Sequence, residues 1–245
     1  MAQLLIINPN TSASVTDKLT RYAQAQCTGD QTVQGFTARF GASYIVDEAS
    51  FAIAAHATLD AWAHSASLPH LRPASVLVAC FGDPGLTALQ ESCPVPVTGL
   101  AQAAFLAASK YGRYAVVTGG ERWKPMLQRL AMTLNQQDHL AGIHTVAPSG
   151  ADLAANPDKA LGVLVQACKD AQVFYKAEAV ILGGAGLVGL AEKIRPQLSM
   201  PIIDSVQAGV AAALGLIGQA SQTTKPKLAL DLQGVSPDLV KMYKA

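Results

Sequence analysis

Charge is scarce in this 245-residue chain. Only 14% of residues are Asp, Glu, Lys or Arg, and they nearly cancel to a formal net charge of +1. There is no basic block, and aromatic residues make up only 6%. A nucleic-acid partner is therefore not expected, since gripping a polyphosphate needs a positive stripe that displaces its counterions. Long apolar runs are also missing, although half the residues are hydrophobic and mean hydropathy is +0.25. The richest run, 208–216, falls well short of the ~20 residues of a membrane helix and is broken by Gly209 and Gly215. The opening MAQLLIINPNTS lacks the charged segment and cleavage site of a signal peptide, so a cytoplasmic protein without membrane contact is expected.

Cysteine is sparse. Cys27, Cys80, Cys93 and Cys168 have the spacing of neither a zinc ribbon nor a disulfide framework, and read as reduced, mostly buried thiols. His56, His64, His70, His139 and His144 form no HExxH and neighbour no cysteine pair, so no metal site is expected. No P-loop or GxSxG occurs, and GxGxxG spacing is met only at 184–189; dinucleotide, ATP and Ser-His-Asp chemistry are not expected.

What is present is alternation. Short apolar runs at 4–7, 33–36, 76–79, 115–117, 142–146, 179–182 and 201–203 read as buried strands, bounded by Gly, Pro or Asn. Between them, helical periodicity marks segments near 13–26, 48–66, 84–91, 99–109, 124–135, 158–175, 187–197 and 205–217. Uniformly apolar strands alternating with helices predict an α/β fold with parallel sheets covered on both faces. The halves also resemble each other. VPVTGLAQAA (95–104) aligns with MPIIDSVQAG (200–209), and VLVACFGDPGL (76–86) with VILGGAGLVGL (180–190). A duplication about a pseudo-two-fold axis follows, with strand ends from both halves facing one cleft.

Four predicted strand ends carry polar or glycine-rich tails. In the first, 8–12, Thr11 or Ser12 can cap the next helix, or the amides there can hold an anion or carbonyl oxygen. The second is Cys80-Phe81-Gly82-Asp83-Pro84-Gly85, the third Thr118-Gly119-Gly120-Glu121, the fourth Gly183-Gly184-Ala185-Gly186. Glycines let backbone approach a ligand closely. A thiol at a strand end is either packing or a reagent. As thiolate, favoured by a helix amino terminus, it takes a weakly acidic C–H proton; as thiol it returns one. The enolate formed would be held by N–H donors at the strand ends.

INPNTS (7–12), ACFGDPGL (79–86), VVT (116–118), ILGGAG (181–186) and PIID (201–204) resemble the aspartate/glutamate racemase superfamily, in its hydantoin and allantoin racemase branch. The resemblance implies two pseudo-symmetric domains, each a short mostly parallel sheet flanked by helices, with the active-site cleft between them. It divides the chain into 1–97 plus 206–245 and 98–205. It also implies a cofactor-free isomerase in which two cysteines, one from each domain, exchange a proton with opposite faces of a carbon. Cys80 matches the first cysteine. The second position is occupied by Gly184, so the symmetric mechanism cannot run unchanged; Gln102 is a further departure, where the family often has Glu.

Three outcomes stay open: a second proton relay from Asp83, Glu121, Tyr44 or water; single-thiol decarboxylation, as in the related arylmalonate decarboxylases; or binding without catalysis. Asn10, Phe81, Gly82, Thr118, Gly119, Gly120, Gly184 and Ala185 are the candidate substrate-binding residues, with Phe81 and Trp123 lining an apolar pocket or simply packing. Arg39 meets a carboxylate or is a solvated loop charge. The implied partner is a small molecule: a hydantoin, an amino-acid derivative or a carboxylic acid. A homo-oligomer is expected, as is common in the family.

Overall fold

The computed structural model describes residues 2–147, 150–221 and 231–244. Two parallel four-stranded sheets organise it. The first contains β1 (Gln3–Asn8), β2 (Thr32–Thr37), β3 (Pro73–Val78) and β4 (Val97–Gly99), in the order β2-β1-β3-β4. The second contains β5 (Tyr114–Gly119), β6 (Leu140–Val146), β7 (Ala179–Leu182) and β8 (Ile202–Asp204), in the order β6-β5-β7-β8. Adding four to each label of the first order gives the second, so the repeat seen in the sequence is a repeat of topology. β1 and β5 are central in their sheets and pair on both sides. Their residues Leu4–Ile7 and Tyr114–Val117 are completely buried, as expected for strands covered on both faces.

The helices α1 (Ala13–Gln26), α2 (Glu48–Ser67), α3 (Leu86–Ser92), α4 (Leu100–Ala108), α5 (Trp123–Thr133), α6 (Gly150–Ala155), α7 (Pro157–Tyr175), α8 (Leu190–Ile194), α9 (Ser205–Gly215) and α10 (Pro237–Lys244) cover the sheets. None of the described helices is long and apolar enough to cross a membrane. The largest apolar cluster joins the two sheets: Leu4, Ile6 and Leu77 share it with Val116, Ile181 and the facing pair α4 and α9. Separate clusters lie on the far sides, one around Leu5, Ile7 and Val78, the other around Val117, Leu164 and Leu182.

Three sequence expectations need correction. β4 was not foreseen, nor were α6 and α10. The single helical segment near 187–197 is instead the short α8 between two 3₁₀ turns, because Gly189 adopts φ +78. Arg39 meets carboxylates, but those of the protein itself and away from the cavity beside Cys80. Its Nε and Nη2 donate to the two Asp60 oxygens at 2.9 and 2.8 Å, and Nη1 reaches Asp238 at the start of α10.

The two halves solve one problem in different ways. The amino terminus of α4 needs an acceptor, and Asp83 from the turn after β3 supplies it, taking N–H bonds from Ala101 at 2.9 Å and Gln102 at 2.7 Å. A Cβ on Gly99 would collide with that carboxyl group. In the second half the residue matching Gly99 is Asp204, which caps α9 itself through Val206 N–H (2.8 Å) and Gln207 N–H (3.1 Å). Its other oxygen accepts from Gly189 N–H, in the loop corresponding to that of Asp83. Each half thus buries one carboxylate under one helix, contributed from opposite sides of the same contact.

Gly99→Ala should therefore lower the unfolding free energy in urea by about 2 kcal/mol, since backbone and carboxylate must both shift. Gly162→Ala is the control. It lies on the exposed side of α7 with no atom within 4 Å of an added Cβ, and should gain about 0.8 kcal/mol of stability.

Candidate active site

The carboxyl ends of β1, β3, β5 and β7 meet around a cavity of about 120 Å³. The first half contributes Asn10, Val15, Tyr44–Val46 and Ala79–Phe81. The second contributes Thr118–Gly120, Trp123 and Gly183–Leu187. None of these side chains carries a formal charge. Cys80, Asn10, Phe81, Thr118, Gly119, Gly120, Gly184 and Ala185 all border this space, which is the placement read from the sequence. Gly82 does not: its backbone turns away at φ +145 and faces the Trp123 ring from outside the cavity.

Cys80 stands two residues beyond the end of β3, in a tight turn closed by Asp83 N–H donating to Cys80 O at 3.0 Å. It is 8% exposed. Burial pushes its thiol well above the ordinary range, and the nearby Asp83 carboxylate pushes it further. This corrects the expectation that a helix amino terminus would favour the thiolate. The amino terminus of α4 is occupied by Asp83. Asp83 is itself raised by burial to about 7, against the opposing pull of the Ala101, Gln102 and Leu100 amides. Both effects favour the thiol over the thiolate.

The polar groups around it are donors. Asn10 Oδ1 accepts from Asn8 Nδ2 and Ser12 N–H, both at 2.9 Å, which leaves the Asn10 amide nitrogen to meet a ligand oxygen. Ser12 is the N-cap residue of α1, yet its hydroxyl makes no capping bond and pairs with Ser14 instead. At the other strand end, Gly184 N–H is taken by Ser205 Oγ at 3.2 Å. The Ala185 and Gly186 amides open the following turn without a backbone acceptor among the described residues. Such amides are suited to an oxygen that gains negative charge.

The side facing Cys80 chemically is not its equal. Gly184 sits at φ +149, and a Cβ there would press on the Leu187 side chain at 3.2 Å. Of the alternative relays, Glu121 is exposed and away from the cavity, and Asp83 faces α4. Tyr44 borders the cavity, half-buried. Gln102 is outside, its side-chain oxygen accepting from Thr98 and Gln90. Cys93 and Cys168 are fully buried in the outer apolar clusters. Val15, Ile45, Val46 and Leu187 were missed. They are ordinary apolar residues, and only the arrival of the β2–α2 loop over the strand ends gives them a role. That loop is pinned by Thr11 N–H on Ala42 O and by the Asp47–Ser50 capping box of α2.

The family model described as Asp/Glu/Hydantoin racemase matches residues 4–213. A hydantoin racemase from Paenarthrobacter aurescens is 31% identical over 231 residues, 91% of this chain and 94% of that protein. Another, from Pseudomonas sp. (strain NS671), is 28% identical over 226 residues, 92% of this chain and 90% of that protein. The crystal structure of allantoin racemase from Pseudomonas fluorescens superposes with a TM-score of 0.85 at 28% identity, covering 94% of this chain and all of that one.

The raised Asp83 sets a pH dependence with a definite sign. The folded chain holds this proton more tightly than the unfolded one. The group's contribution is therefore most favourable below about pH 4, declines as pH rises towards 7 and is flat beyond. Between those limits Asp83→Asn should lose less unfolding free energy than wild type, by up to about 4 kcal/mol in urea titrations. Parallel profiles for the two proteins would contradict a raised Asp83.

Proposed function

We propose, from the premise that the chain belongs to the Asp/Glu/hydantoin racemase family, that it is a cofactor-independent isomerase which inverts a carbon next to a carbonyl. Its substrate class is a small neutral cyclic amide such as a 5-substituted hydantoin. The observation that carries this reading is the Cys80 thiol at the wall of a cavity lined by apolar and neutral donor groups. A carboxylate moved there would lose its hydration without meeting a cationic side chain, a cost of several kcal/mol. A neutral ring would offer carbonyl oxygens to Asn10 Nδ2, Thr118 and the Ala185 and Gly186 amides. Its substituent would meet Val15, Ile45, Val46, Phe81, Trp123 and Leu187.

On the Cys80 face the chemistry is proton exchange. In one direction the sulfur, as thiolate, accepts the C–H proton while the electron pair passes into the carbonyl, giving an enolate held by the N–H donors. In the other, the thiol protonates that enolate. The opposite face has no thiol, and its proton would pass through the Tyr44 hydroxyl or a water. A second reading is a lyase. It is favoured by the upward shift of the Cys80 thiol and the aliphatic Leu187 beside Gly184. Loss of carbon dioxide from a disubstituted malonate creates the carbanion without a base, and a lone thiol then delivers one proton to one face.

Incubation of wild type in D₂O with single enantiomers of 5-benzyl- and 5-isopropylhydantoin should place deuterium at C5 faster than buffer alone. Cys80→Ala should remove about 10²-fold or more of that rate. No uptake above buffer across a broad hydantoin panel would remove the isomerase reading. Release of carbon dioxide with a single-enantiomer acid from a malonate panel would establish the lyase in its place.

A further inference from the structure

A second cavity of about 320 Å³ is lined by residues of α2, α3, α5 and the turn after Cys80. Phe51, Met126 and Leu130 give it an apolar side, while Asp83, Thr87 and Arg129 also line it. The Trp123 ring stands where the two spaces approach each other. It borders the catalytic cavity, while the groups it touches border the second. Phe51 meets it edge-on, with ring centroids 6.3 Å apart, and Gly82 lies so close that an added Cβ would be 2.5 Å from Cζ3. Met126, one turn further along the same face of α5, also lines the second cavity. The contact is made across the cleft, since Trp123 belongs to the second half while Phe51 and Gly82 belong to the first.

We propose that Trp123 is the specificity-determining wall of the site, confining the substrate's substituent to the first cavity and closing off a ready-made apolar extension subsite between α2, α3 and α5. The inference rests on the reading that a small molecule occupies the cavity beside Cys80. The ring's seat depends on Gly82, which explains why this glycine belongs to the site's surroundings although it never reaches the cavity. With the indole removed, the two spaces join, and a long unbranched or aryl-alkyl substituent passes over Gly82 towards Met126 and Leu130. Substrates with short substituents gain nothing from the added room.

The wall is tested without relying on turnover. Alkylation of Cys80 by N-methylmaleimide and N-hexylmaleimide is followed by peptide mass mapping in wild type, Trp123→Ala and the milder Trp123→Leu, with thermal melts to show that each variant is folded. The hexyl-to-methyl rate ratio should rise about tenfold or more in Trp123→Ala, the gain from burying two further methylenes. It should rise less in Trp123→Leu, and fall back when Leu130→Trp is added to Trp123→Ala to refill the second cavity. Any change in the reactivity of the sulfur itself alters both rates and cancels in the ratio. A ratio unchanged in both folded variants overturns the proposal. In parallel, deuterium exchange into 5-(4-phenylbutyl)hydantoin relative to 5-methylhydantoin should rise in Trp123→Ala. Failure of wild type to exchange any hydantoin defeats the proposed function, while the maleimide ratio still decides the wall.

Discussion

The Asp83 carboxylate is buried beneath the first amides of α4, in the same turn that carries Cys80. Most of the site's geometry follows from that contact. It fixes the turn after β3 and so the position of the sulfur. It demands glycine at 99, where any side chain would strike the carboxyl group. It also draws α4, which packs against α9 in the apolar layer between the sheets, onto the first half's strand ends. Burial first, and the neighbouring Asp83 second, push the thiol above its ordinary range.

The duplication makes the departures from symmetry informative. Sheet order repeats from one half to the other, and each half buries a carboxylate under the helix that follows its shortest strand. At the cleft the correspondence breaks. One strand end carries a thiol, the other a glycine in a conformation unfavourable to L side chains, with a leucine beside it. A site of this form has a protic face and a largely aliphatic face. Its neutral lining favours ligands that bring dipoles rather than full charges.

Much of this architecture was legible in the sequence, for physical reasons. Strands such as LLII and AVIL are buried on both faces, so they read as unbroken apolar runs, and the glycine-rich tails mark where backbone must turn at a strand end. β4 escaped because three residues between Pro96 and a helix leave no run to recognise. The exchange of Asp83 with Gly99 for Asp204 with Gly189 was hidden because its members are distant in the chain. The same holds for Ile45 and Val46, whose place in the cavity is set by the loop between β2 and α2; Tyr44, named as a candidate relay, borders it as well. Gly82 was assigned to the cavity because it follows Cys80, but its left-handed backbone points it at Trp123 instead. The direction of the Cys80 shift was not legible either, since it is set first by burial and then by the nearby Asp83, both products of the fold.

The central claim is that one sulfur exchanges hydrogen with a bound carbon from one side only. The most direct measurement is wash-out of deuterium in H₂O from C5-deuterated (R)- and (S)-5-benzylhydantoin, each followed separately in wild type and in Cys80→Ser. The account predicts unequal rates for the two enantiomers, with the faster one slowed by the substitution until the difference disappears. Equal rates for both enantiomers, unaltered by the loss of the thiol, would contradict it.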